Sequence, residues 1–195
     1  MKRLPLRLFQ KEVERQCDFA IIALEDMAEA KASSDGKLFW YSVQNLLVAV
    51  GRISRLLWPP DSEATENRAQ LRESIDVKDD SPLNALDFVE HFEHFDERLG
   101  EWYESSENLR YFDSYTEPLD VLAETTPGDR FRGYHTEKNA LLFHDETYYL
   151  DPVIEAIEEL RRKAEEEAQK PRLGGGQTVI SGSVLFRDQE SLDIG

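Results

Sequence analysis

The chain has 195 residues, enough for one domain with a real core or for one domain with an appendage and a tail. Apolar residues at 40% and charged residues at 32% describe a folded chain with a heavily charged surface rather than a disordered one. Forty acids against 23 bases leave a formal charge of −17, which argues against broad binding to nucleic acid or anionic lipid, because the surface as a whole repels phosphate.

A local basic patch escapes that field, since salt screens charges beyond about 8 Å. Lys2, Arg3 and Arg7 near the start and Arg130 and Arg132 farther on are the candidates. No apolar run approaches the roughly 20 residues that span a bilayer, and the first residues lack the apolar centre of a signal peptide. No membrane association is expected, and the expected location is cytoplasmic.

Leu6, Phe9, Val13, Cys17, Ala20, Leu24 and Met27 recur at steps of three and four, predicting a core-facing helix over about 6–31. Cys17 is the single cysteine, so it forms no internal disulfide, which fits a reducing compartment. Its neighbours one turn away, Val13, Glu14, Ala20 and Ile21, supply no cation or histidine, so it reads as a small buried apolar residue. Ser33, Ser34, Asp35 and Gly36 break the helix.

A second and more apolar helix follows over 39–60, carrying Phe39, Val43, Leu46, Leu47, Val50, Ile53 and Leu57 and stopped by Pro59 and Pro60. Trp40 and Trp58 near its ends read as packing residues. Residues 61–80 are polar, and the pair Leu71 and Ile75 predicts a short helix within a connection. Ser81 then stands as N-cap and Pro82 at the first helical position of a helix expected to reach about residue 105.

That helix contains VEHFEHFDERL, residues 89–99, with two histidines, four acids and two phenylalanines. At 100 degrees per residue, Phe88, Phe92, Phe95, Leu99 and Trp102 form the core stripe. Glu90, Glu93 and Glu97 fall opposite, with Val89 and His94 at the margins and Leu86 outward, an acidic face with apolar residues that suits a partner surface. His91 and His94 share an edge with Asp87 and Glu90, but the spacing matches neither the zinc-protease nor the di-iron pattern, and no metal is expected. Arg98 lies within helical reach of His94 and Glu101.

Residues 106–129 read as loop, including TTPGD. RFRGYH, ALLFH and TYYL, with a turn at TEKN, predict a small antiparallel hairpin or meander over 130–150 that must pack on something else. Asp151 and Pro152 open a final helix with an apolar edge of Val153, Ile154, Ile157 and Leu160, after which RRKAEEEAQK reads as a solvated projection. PRLGGGQ, 171–177, is linker-like; TVISGSVLF beyond it is strand-like, and disorder or strand addition to a neighbour both stay open.

FWYSVQNLLVAVGRISRLLW at 39–58 and the helix around HFEHFDERL at 91–99 together resemble the HEPN superfamily of helical bundles, over roughly residues 6–105. The resemblance implies an HEPN-like up-and-down helical bundle over 1–110; with the loop, β-hairpin and C-terminal helix read over 111–170 and packed on it, and a flexible tail over 171–195, the expected chain is mainly α. Family members that cut RNA carry an arginine, often followed by asparagine, and a histidine after four to six further residues. Here VEHFEH stands where RNHFEH is expected: His94 matches the histidine, Val89 replaces the arginine and Glu90 the asparagine. RNA cleavage needs a cation to offset charge developing on the phosphate, and valine supplies none.

The resemblance therefore implies a noncatalytic or vestigial member acting through protein association, as a homodimer or with a regulatory or defence partner, through a face bearing Leu86, Val89, Glu90 and Glu93. The alternative is a metal-independent endoribonuclease of toxin or defence type using His94, its cation supplied by Arg98, by the cluster of Arg130, Arg132 and His135, or by a second subunit. Arg130 and His135 match the family spacing, although Gly128 and Gly133 argue against a helix there. No cofactor is expected, because no glycine-rich phosphate loop precedes a helix.

Overall fold

Two long amphipathic helices joined by a two-residue turn must fold back on each other, and they set the frame of the molecule. A computed structural model describes residues 6–84, 86–106, 109–117, 125–144 and 146–170. The expected tail, 171–195, and the early cations Lys2 and Arg3 lie outside the described residues. Helix α1 spans Leu6–Ser33 and α2 spans Gly36–Leu57. Between them Ser34 takes a positive φ of 58°, and Asp35 caps α2 by accepting the Leu38 N–H at 2.9 Å.

The last helix, α6, spans Leu150–Gln169. Its Arg161 pairs with Asp18, and Arg7 donates to the Lys170 carbonyl, so α6 runs antiparallel along α1. Val13, Cys17, Ala20 and Met27 of α1 meet Val43, Leu46, Val50 and Ile53 of α2 and Val153, Ile157 and Leu160 of α6 in one core. The expected solvated projection at RRKAEEEAQK is corrected: Ala164 and Ala168 are buried. With Leu160 they recur every four residues, a narrow stripe of small side chains that polar neighbours hide from a hydropathy reading.

Helix α3, Ser62–Ser74, is the short helix expected in the connection. The single helix expected over 82–105 is two: α4, Leu86–Glu93, and α5, Phe95–Ser105, broken at His94. Ser81 organises a turn instead of capping a helix. Its carbonyl accepts the Asn84 N–H at 2.9 Å and its hydroxyl the Leu83 N–H at 3.3 Å.

The remaining elements form a four-stranded sheet in the order β1-β2-β3-β4. β2 (Arg132–His135), β3 (Ala140–Phe143) and β4 (Glu146–Tyr149) are the expected antiparallel meander. β1, Tyr115–Glu117, lies in the stretch read as loop and pairs parallel with β2. The Tyr115 ring covers Gly133, where a Cβ would meet Tyr115 Cζ at 2.4 Å. Strand alternation gives the sheet two faces. One packs on the helices, with Tyr134 on Phe39 (ring centroids 4.8 Å) and Tyr148 stacked on Phe88 (4.9 Å). The molecule is thus mainly helical with a small sheet, and no described helix is long and apolar enough to cross a membrane.

Candidate functional site

α4 can lie close on α2 because Gly51 offers no side chain: a Cβ there would stand 3.0 Å from Val89 Cγ1. Val89 is 1% exposed. The outward placement expected for it is therefore corrected, and it belongs to the core instead of a partner face. The break at His94 ends α4 after two turns, so its facing is set by contact with α2 and not by a single stripe running from Phe88 to Trp102. The side chain of Leu86 lies outside the described residues, while Glu90 is exposed.

A cation does reach this part of α4, but it comes from α2. Arg55 Nη1 donates to Glu93 Oε1 at 2.8 Å, and Nη2 meets the other carboxylate oxygen. That hydrogen-bonded pairing holds the Glu93 carboxyl below the usual glutamate range and raises the Arg55 guanidinium in turn. The arrangement neutralises the Arg55 charge.

His94 is half-exposed at the α4–α5 junction, with Nδ1 3.5 Å from Glu97 Oε1. Arg98 pairs with Glu101 at 3.1 Å. The two candidate residues are joined only by the backbone bond from the Arg98 N–H to the His94 carbonyl, 3.1 Å. His91 belongs to the packing: its Nε2 is 2.9 Å from Glu146 Oε1, and its ring stacks on Phe143 at 4.7 Å. Among the described residues no group of three His, Cys, Asp or Glu is placed to hold a metal ion.

The members of the expected basic cluster each have other surroundings. Arg132 Nε donates to Asp113 Oδ1 at 2.8 Å, and its guanidinium lies over the Phe95 ring at 4.1 Å. Burial pushes the Asp113 carboxyl up, but the Arg132 hydrogen bonds and charge outweigh it and leave the group below the usual carboxylate range. Arg130 Nε donates to Thr125 Oγ1 at 2.7 Å. His135, three residues after Arg132 in β2, falls on the opposite face of the sheet. Burial, with Asp18 adding to it, pushes the Cys17 thiol up to about 12, which suits a packed residue and not a nucleophile.

The surface that the sequence reading missed lies on the outer side of the α1–α2 pair. Phe19 and Ile22 of α1 and Tyr41 and Val48 of α2 are 43–60% exposed and flank one groove of about 390 Å³. Gln16, Asp26, Asn45 and Arg52 complete it. Gln16 is buried, and its Oε1 finds no partner among the described residues. A signal was present: Tyr41, Asn45, Val48 and Arg52 recur at helical steps on a stripe far from the Leu46–Ile53 core stripe, as Phe19, Ile22 and Asp26 do on α1. A wider cleft of about 740 Å³ opens between the α1–α2 turn and the sheet, lined by Lys31, Lys37 and Asp35 with Phe39, Trp40 and Tyr134. Compared with known proteins, the chain matches no family model, no curated protein and no solved structure.

Proposed function

We propose that this chain is a noncatalytic, HEPN-like bundle protein that works by protein association, with a second copy or with a regulatory or defence partner. The observation that carries the reading is the run of exposed apolar side chains, Phe19, Ile22, Tyr41 and Val48, along one groove of the two central helices. Single exposed apolar residues need no explanation, whereas a contiguous set on rigid elements is the signature of a covered surface. Support for the absence of catalysis comes from the burial of Val89 and the pairing of Arg55 with Glu93. Losing one electrostatic stabiliser of a transition state commonly lowers the rate a hundredfold or more.

The alternative reading, a metal-independent endoribonuclease, draws on the half-exposure of His94 near this ion pair. Incubating the purified protein and His94→Ala with structured and single-stranded RNA in chelator separates the two. No cleavage by either protein is the expected result. Cleavage by the wild type that His94→Ala abolishes would overturn the noncatalytic reading.

A further inference from the structure

The geometry points to a second copy of this chain as the occupant of the α1–α2 groove, docked about a two-fold axis that lies in the face and crosses the groove. This inference rests on the association reading above and gives it a surface and a partner. The middle of the groove is mainly apolar, with Phe19 and Ile22 on one wall and Tyr41 and Val48 on the other, and Asn45 is the uncharged polar residue between the latter two. Its charges lie at its two ends. Because the helices run antiparallel, Asp26 of α1 lies at the end nearer Tyr41, while Arg52 lies at the end nearer Gln16, roughly 16 Å farther along α2 at 1.5 Å per residue.

A two-fold axis across the groove exchanges the ends, so Asp26 of each chain comes to the Arg52 end of the other and both pairs form at once. Neither Asp26 nor Arg52 forms an ion pair with any other described residue. A uniformly basic partner would leave Arg52 opposed, and a uniformly acidic one would leave Asp26 opposed; the chain's own face satisfies both. Two chains of formal charge −17 repel as wholes. Salt screens that repulsion beyond about 8 Å, and the groove carries one charge of each sign, so contact there escapes it.

Sedimentation of the full chain across a dilution series at physiological salt tests the inference. The wild type is expected to show a monomer–dimer equilibrium. Ile22→Glu is expected to weaken dimerisation at least about tenfold, because a charge is placed in the apolar middle of the contact. Asp26→Arg and Arg52→Asp are each expected to weaken it several-fold, and the variant carrying both to recover most of the wild-type affinity. Circular dichroism and thermal melting of each variant, expected to be unchanged because none of the three side chains is buried, separate lost contact from lost fold. A wild type that stays monomeric throughout overturns the proposal, as does a charge-swapped pair with no recovery. Association that ignores all four variants also overturns it while leaving the broader association reading standing through another surface, and His94-dependent RNA cleavage strikes only the noncatalytic reading.

Discussion

Replacing Val89 with alanine removes two carbons from a side chain that is 1% exposed and packed on Gly51. At about 0.8 kcal/mol per buried methylene the transfer loss is about 1.6 kcal/mol. The void left behind adds to it, since a glycine opposite has no side chain to move in, and the total loss is about 2–3 kcal/mol. Gly51→Ala alone has two opposed effects: about 1 kcal/mol gained in helix propensity, and about 1–3 kcal/mol lost where the new methyl stands 3.0 Å from Val89 Cγ1. Combined with Val89→Ala, the crowding disappears and the new methyl fills part of the void, so Gly51→Ala becomes stabilising in that background. The double-mutant cycle is thus expected to show a favourable coupling of about 1–3 kcal/mol. Urea unfolding followed by circular dichroism, with a common m value, measures all four corners. A Val89→Ala loss below about 0.5 kcal/mol, the size of a surface change, or additivity within about 0.5 kcal/mol, would refute the packing of α4 on α2 described above.

Asp113→Asn is expected to destabilise the protein by about 2–3 kcal/mol at neutral pH, because it leaves the largely buried Arg132 without its charge partner. The sign of the pH effect follows from a native carboxyl below its ordinary range. Its stabilisation is complete above the unfolded carboxyl's titration and is lost as pH falls through the native one, so the variant should show a flatter acid limb in stability against pH. The Cys17 thiol, raised to about 12 by burial, should resist a thiol reagent at pH 8 in the native protein and react on unfolding, and rapid native labelling would contradict its placement. Gly133→Ala must displace the Tyr115 ring, whose atoms lie as close as 2.4 Å to the new carbon. A loss of about 1–3 kcal/mol in denaturant melts is expected, and Tyr115→Ala made first should shrink it.

Periodicity carried the helices well where one face is consistently apolar. Val13, Cys17, Ala20 and Met27 announce α1, and Phe39 to Leu57 announce α2, since burial of a stripe is written locally every three or four residues. The meander of β2 to β4 was legible for the same reason, with Asn139 at φ 44° in a turn that the TEKN stretch advertises. The candidate site was less legible. Val89 looked marginal on an ideal helix, yet it is buried because Gly51, 38 positions earlier, clears the space for it. Arg55 came into the picture only through Glu93, a contact with no trace in local spacing. The basic cluster expected around Arg132 came apart because Asp113 engages Arg132 and strand alternation turns His135 to the other face.

By itself, then, the sequence determined a mainly helical chain with a small sheet and a buried Cys17, both of which depend on residue type and near-neighbour spacing. Tertiary structure alone decided that α4 and α5 part at His94, that β1 joins β2 in parallel, that α6 lies along α1, and that Phe19 and Ile22 share one groove with Tyr41 and Val48. Each of these depends on which distant segment occupies the space beside a side chain. A linear pattern carries no term for that.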